Sequence, residues 1–131
     1  MSTIARTPVE AIEKCAEMIQ AGDIDGLVQL YDPDIVMMME PGKVRVGLDA
    51  LREYFTPLLA LRPKMKFTRI SFLEADGVAQ LSYRWEVTGT APDGSIVEQK
   101  GVSSDVVRRR PDGSWAVIID NPNGGANSEA A

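Results

Sequence analysis

The 131-residue sequence contains no histidine. That absence removes serine–histidine and cysteine–histidine nucleophilic catalysis and histidine proton shuttles. It also removes most zinc and non-haem iron sites. Acid–base chemistry is left to Asp, Glu, Tyr, Lys and the single cysteine, Cys15. One cysteine forms no internal disulfide, which fits a reducing compartment, so a cytoplasmic location is expected. Residues 1–7 hold no apolar stretch of the secretory-signal kind, and no apolar run approaches the roughly 20 residues of a membrane span. A membrane partner is therefore not expected. No glycine-rich phosphate loop or metal-ligand cluster is visible, and no metal, haem, nucleotide or other cofactor is expected. The net charge of −5 repels phosphate backbones and argues against nucleic acid as a partner. The one basic cluster, Arg108-Arg109-Arg110, precedes a turn and reads as a solvated hairpin end.

What is present is an ordinary globular composition, 44% hydrophobic and 25% charged. A chain of this length buries a core without disulfides or metal. Pro8–Ala21 reads as a helix, with Thr7 as N-cap, Pro8 in the first turn and Gly22 as the stop. Val9, Ile12, Cys15, Ala16 and Ile19 recur on one face of it. Asp23 caps a second short helix in which Ile24, Leu27, Val28 and Tyr31 face inward and which Pro33 ends. Residues 35–39 form a short apolar strand, Pro41-Gly42 breaks it, and residues 43–46 add a small one. A third helix starts near Leu48 with Leu51, Tyr54, Phe55, Leu58 and Leu59 inside, and Pro57 kinks or restarts it.

From Lys66 onward the period becomes two. The clearest strand is 78–88, with Ala79, Leu81, Tyr83, Trp85 and Val87 on one face. Asp76-Gly77, Pro92-Asp93-Gly94 and Pro111-Asp112-Gly113 are turns separating four strands. Helices followed by a strand meander make an α+β domain over residues 1–122, with a flexible tail at 123–131.

The stretch Ala21-Gly22-Asp23-Ile24-Asp25-Gly26-Leu27-Val28-Gln29-Leu30-Tyr31 resembles the helix-turn-helix of bacterial ketosteroid isomerases. These belong with the SnoaL-like polyketide cyclases in the nuclear-transport-factor-like superfamily. Gly47 followed by Leu51-Arg52-Glu53-Tyr54-Phe55 is similar to that family's third helix. Ser104-Asp105-Val106-Val107-Arg108-Arg109, a turn and Trp115 are similar to its last hairpin. The resemblance spans residues 8–122. It implies a cone, the cystatin-like α+β roll, in which three N-terminal helices wrap a curved antiparallel sheet around one pocket. It also implies a homodimer through the outer sheet face.

Carried over residue by residue, the isomerase's oxyanion Asp matches Asp105. Its base falls on Met38 or Met39 and its tyrosine on Cys15, so ketosteroid isomerisation itself is not expected. Limonene-epoxide hydrolase, on the same fold, uses two acids that match Asp105 and Asp120 and an arginine that falls near Ser103.

The candidate proton-transfer residues are Asp105, Asp120 and Glu40. Asp105 sits mid-strand among valines, where a carboxylate facing a pocket has a raised pKa. Asp120 ends the last strand. Glu40 is the carboxylate nearest the missing base, and its alternative reading is a solvated loop residue. A two-residue Asp112-Gly113 turn places Asp105 opposite Asp120, and facing carboxylates form an acid–base pair. A three-residue Pro111-Asp112-Gly113 loop, which Pro111 favours, turns them to opposite faces before any further bulge.

Candidates for holding a substrate are Tyr83 and Trp85 on one strand face, Met38 and Met39 as adaptable thioethers, and Tyr54 and Phe55 on the third helix. Ser103 and Cys15 complete the set, although a buried inert thiol is the plainer reading of Cys15. Val102, Val106, Val117 and Ile119 put apolar positions on both faces of the last two strands, one of which needs a cover such as a second copy. Two functions fit. One is a small-molecule-binding enzyme doing cofactor-free carboxylate chemistry on a small apolar substrate, as an isomerase, cyclase, dehydratase or hydrolase. The other is a silent dimeric ligand-binding or association module.

Overall fold

The computed structural model describes residues 4–125. Helix α1, Pro8–Ala21, starts where the Thr7 hydroxyl accepts the Glu10 N–H at 3.1 Å and stops at Gly22, in the left-handed region at φ 72°. Asp23 caps α2, Ile24–Gln29, by accepting the Gly26 N–H at 2.9 Å. Strand β1, Tyr31–Glu40, follows at once, then β2, Lys43–Val46, and helix α3, Leu48–Leu59. Strands β3, Lys64–Ala75, β4, Val78–Thr90, β5, Ile96–Arg109, and β6, Trp115–Asp120, complete the domain. Among the described residues no helix is long and apolar enough to cross a membrane.

Two local expectations are corrected. Tyr31 is not in a helix, and Pro33 does not end one: both lie in β1. Tertiary pairing decides this, because Tyr31 pairs with Val117 of β6 and the Val117 N–H donates to the Leu30 carbonyl at 2.9 Å. Pro33 sits where the β1–β6 register is interrupted, a place where a missing N–H is tolerated. Helix α3 also runs through Pro57 without a restart.

The sheet order is β2-β1-β6-β5-β4-β3. Four of its five pairings are antiparallel, but β1 pairs with β6 in parallel, so the sheet is mixed rather than wholly antiparallel. No tight turn joins β1 to β6, so hairpin geometry, the signal readable in the chain, does not govern their direction. Helix α1 lies against β3 and the inner faces of β4, β5 and β6. Ile12, Leu27, Leu30, Ile35, Met37, Leu51, Leu81, Val107 and Val117 fill the core between helices and sheet.

Two bulges shape the sheet. On β3, Arg69, at φ 53°, and Ile70 stand against the single residue Tyr83. A bulge of this kind bends its strand. On β6, Val107 faces Val117 whereas Val106 faces Ile119, so Ile118 is extra. The hairpin before it closes with the Arg110 N–H on the Ser114 carbonyl, around the three-residue loop Pro111-Asp112-Gly113. The longer loop moves the register by one residue and the Ile118 bulge restores it, returning Asp120 to the inner face at the level of Asp105.

The basic cluster is engaged rather than simply solvated. Arg108 pairs with Asp32 at 2.9 Å, Arg109 lies over the Trp115 ring, and Arg110 donates to the Gln29 and Tyr31 carbonyls. Beyond Asp120 the chain turns back, with the Gly124 N–H on the Asn121 carbonyl and the Gly125 N–H on the Val102 carbonyl. The rest of the expected tail, 126–131, lies outside the described residues.

Gly101 faces Trp85 across β4 and β5. A Cβ there would stand 2.8 Å from Trp85 Cζ2 and 2.7 Å from Asn123 Oδ1. Gly101→Ala is therefore expected to displace the indole and cost about 1–3 kcal/mol of stability. Urea unfolding monitored by tryptophan fluorescence checks this, and an unchanged midpoint and emission maximum would refute it.

Candidate functional site

One cavity lies between the helices and the concave sheet face, about 70 Å³ in volume. That is several times the roughly 10–15 Å³ that one water needs. Helix α1 contributes Ile12, Cys15 and Ile19, three of its buried positions. Helix α3 contributes the adjacent Tyr54 and Phe55 and, one turn on, Leu58. Met65 and Phe67 on β3 and Tyr83, Trp85 and Val87 on β4 form the sheet wall. The wall is rigid: the Phe67 and Tyr83 rings pack at 4.7 Å, and the Trp85 indole N–H donates to the Pro122 carbonyl at 2.7 Å.

Two carboxyls lie on the polar side of this cavity. Residues 103, 105 and 107 of β5 point inward by the strand period, which places Asp105 there. The Ile118 bulge places Asp120 beside it, within hydrogen-bond reach. Asp105 accepts three hydrogen bonds. The Tyr83 hydroxyl donates to Oδ2 at 2.5 Å, the Ser103 hydroxyl to Oδ1 at 2.7 Å and the Asn121 N–H to Oδ1 at 2.9 Å. Asp120 accepts one from the Tyr31 hydroxyl, at 2.8 Å on Oδ2.

Burial raises the Asp105 pKa, and the bonds from Tyr83, Ser103 and Asn121 oppose that rise. Burial, and then the neighbouring Asp105 charge, push Asp120 well above the usual carboxylate range. Three donors suit an anion, so ionisation is favoured at Asp105 over Asp120. Burial, and then the two carboxyls, also hold Tyr83 and Cys15 well above their ordinary values. Burial, and then Asp120, do the same for Tyr31. All three are favoured in their protonated forms, and the two tyrosine hydroxyls act as donors.

Of the residues singled out from the sequence, Asp105, Asp120, Tyr83, Trp85, Met39, Tyr54, Phe55 and Cys15 line the cavity. Three do not. Glu40 is exposed at the β1–β2 turn, paired with Lys43 at 3.1 Å and near Arg45 at 3.9 Å, where strand alternation turns it away. Met38 points to the opposite face from Met37 and Met39 for the same reason. Ser103 is fully buried beneath Asp105 and acts on the site by donating to that carboxylate. Sequence reasoning gave too little weight to Tyr31, which it placed on a helix. The alternation Tyr31, Ile35, Met37, Met39 was the available signal. Met65 and Phe67 on β3 were also missed. Among the described residues no group of three or more ligating side chains could hold a metal.

The retained proton has a sign in stability. An unfolded Asp120 loses its proton near pH 4. Above that pH the folded state binds more protons than the unfolded state, so stability falls as pH rises, by up to about 1.4 kcal/mol per pH unit, until the raised folded pKa is passed. Asp120→Asn cannot ionise and keeps an acceptor for Tyr31. The stability of the variant minus that of the parent is expected to grow from pH 5 to pH 8 in urea titrations. A constant difference would show that Asp120 is already ionised in the folded protein.

A family model described as SnoaL-like domain matches residues 12–118. No curated protein matches the chain in sequence. Among solved structures, a Novosphingobium aromaticivorans protein provisionally named a scytalone dehydratase superposes with a TM-score of 0.78 at 13% identity, covering 86% of this chain and 78% of that one. A second protein from that genus, provisionally named an aromatic ring hydroxylase, gives 0.76 at 22% identity, covering 89% and 90%. A Xanthomonas campestris protein, provisionally named a calcium/calmodulin-dependent protein kinase II association domain, gives 0.75 at 21%, covering 95% and 98%. At these identities the structural likeness speaks for the fold alone. The sequence match over most of the chain, together with the helices wrapped by a six-stranded curved sheet, shows that the chain belongs to the SnoaL-like family.

Proposed function

We propose that this protein is a cytoplasmic enzyme that carries out cofactor-free proton transfer on a small, largely apolar molecule held in the cone. The reaction is of the isomerase, cyclase, dehydratase or hydrolase type. The observation that carries this reading is the convergence of Asp105 and Asp120 in one largely apolar cavity, each braced by a tyrosine hydroxyl. The hydrogen bonds depart from the resemblance, which casts Asp105 as a protonated oxyanion-hole acid. Asp105, with three donors, is the base; Asp120, with its retained proton, is the acid. Tyr31 and Tyr83 orient the pair, while Trp85, Phe55 and Met39 hold the substrate. A dehydratase or isomerase needs this arrangement: one group to take a proton from carbon, and a second to give one to a leaving or carbonyl oxygen. The names of the dehydratase-like neighbours agree with it.

The experiment is proton exchange. Small cyclic ketones, enones and secondary alcohols are incubated with the protein in D2O and followed by NMR for α-proton exchange or water loss. Turnover of at least one compound is expected, with a loss of about 10²–10⁴-fold in Asp105→Asn. No turnover of any compound, or turnover that survives Asp105→Asn, would leave the silent module as the better account.

Association is a second role, and the outer sheet face supports it. Val46, Val36, Ile119, Val106, Gln80 and Leu73 stand opposite one another in a single row across all six strands. Val46, Val36, Ile119 and Leu73 are 65%, 37%, 40% and 77% exposed. Such a row calls for a cover, and a second copy packed sheet to sheet supplies it. Val102 and Val106 belong to this outer face, while Val117 faces inward. The association-domain name of the Xanthomonas neighbour points the same way. Light scattering at micromolar concentration is expected to give a dimer, and Ile119→Lys with Val36→Lys a monomer. A parent protein that is already monomeric would remove this role.

A further inference from the structure

The walls of the cavity hold two carboxyls and no cation. Neither lysine nor arginine is among the lining residues, and histidine is absent from the chain. The nearest basic clusters are used elsewhere. Lys43 and Arg45 pair with Glu40, Arg108 pairs with Asp32, and Arg110 binds backbone carbonyls. The donors on Asp105, from Tyr83, Ser103 and Asn121, are all neutral groups. They stabilise a carboxylate without cancelling its charge. With three neutral donors holding Asp105 as an anion, the pair carries a negative charge in a buried, largely apolar pocket, a costly arrangement unless something compensates it. The remaining walls include six rings, those of Tyr31, Tyr54, Phe55, Phe67, Tyr83 and Trp85, beside aliphatic and thioether side chains and the Gln99 amide. Aromatic faces present negative charge to whatever lies against them and attract cations.

We infer that the cavity is built for a small apolar amine bound as its ammonium ion, with Asp105 as counter-charge and the aromatic rings around the cation. This rests on the reading of the cavity as a small-molecule site. It narrows the substrate class. Carboxylates, phosphates and other anions are repelled by Asp105 and find no basic partner. A neutral molecule of the same shape fills the space but leaves the charge uncompensated. An ammonium fills the space, neutralises the pair and needs no proton to be gained or lost.

Isothermal titration calorimetry of the full chain at pH 7 with benzylamine, benzyl alcohol and benzoate tests the inference. The three probes share a ring and differ in charge. Benzylamine is expected to bind about tenfold or more tighter than benzyl alcohol, with benzoate showing no heat of binding. In Asp105→Asn the preference for the amine over the alcohol is expected to disappear. The ranking on the unaltered protein stands as a test even where that variant fails to fold. Benzyl alcohol or benzoate binding as tightly as benzylamine would overturn the amine inference and leave the small-molecule site intact. An amine preference that survives Asp105→Asn would overturn it too, since the amine would then be held elsewhere. If none of the three binds, the amine inference and the small-molecule reading fall together.

Discussion

Two carboxyl groups held side by side away from water are the constraint around which this molecule is arranged. Asp105 and Asp120 cannot both ionise in that setting, and one alone is costly without donors. Four donors meet the need, and they come from distant parts of the chain: Tyr31 opens β1, Tyr83 lies mid-β4, Ser103 is two residues before Asp105, and Asn121 follows β6. Among the described residues no buried side-chain nitrogen or oxygen is left without a partner. A polar cluster satisfied this completely is rigid, and its groups are held at set distances before any ligand arrives.

The fold supplies that geometry through features that are irregular rather than ideal. The Ile118 bulge turns Asp120 inward, and the parallel β1–β6 pairing brings Tyr31 to it. The β3 bulge at Arg69 and Ile70 falls opposite Tyr83, so the sheet bends where the site lies. Gly101 leaves space for the Trp85 ring. Each departure from regular pairing costs local order and places one side chain of the site, which is the usual association of bulges with functional positions.

Charge is sorted in the opposite sense outside. Glu40, Lys43, Arg45, Glu53, Arg52 and Asp25 form pairs on the surface, where each contributes little to stability. The arginines near the last hairpin tie β5 to the start of β1 and cover Trp115. Cations are thus spent on the outside of the cone, while the lining of the cavity, among the described residues, combines two acids, phenols, a thiol, the Gln99 amide and apolar groups.

Local signals in the sequence determined the elements. Thr7, Pro8 and Gly22 bound α1, the heptad-like spacing of Leu51, Phe55 and Leu58 marks the inner face of α3, and strict alternation marks β4. These depend on neighbours a few residues apart, so they survive in a linear reading. Residue chemistry did the same for part of the site: an acid among valines in β5 and an acid ending β6 were visible as anomalies. Tertiary structure alone decided whether the two acids meet, because a one-residue change in loop or bulge moves a strand residue to the other face. It also decided that Tyr31 pairs with β6 rather than closing a helix, and that Met39 faces the cavity while Met38 and Glu40 do not. Those outcomes depend on pairings between residues far apart in the chain, as in Tyr31 with Asp120, 89 positions away, and no local preference encodes a partner at that distance.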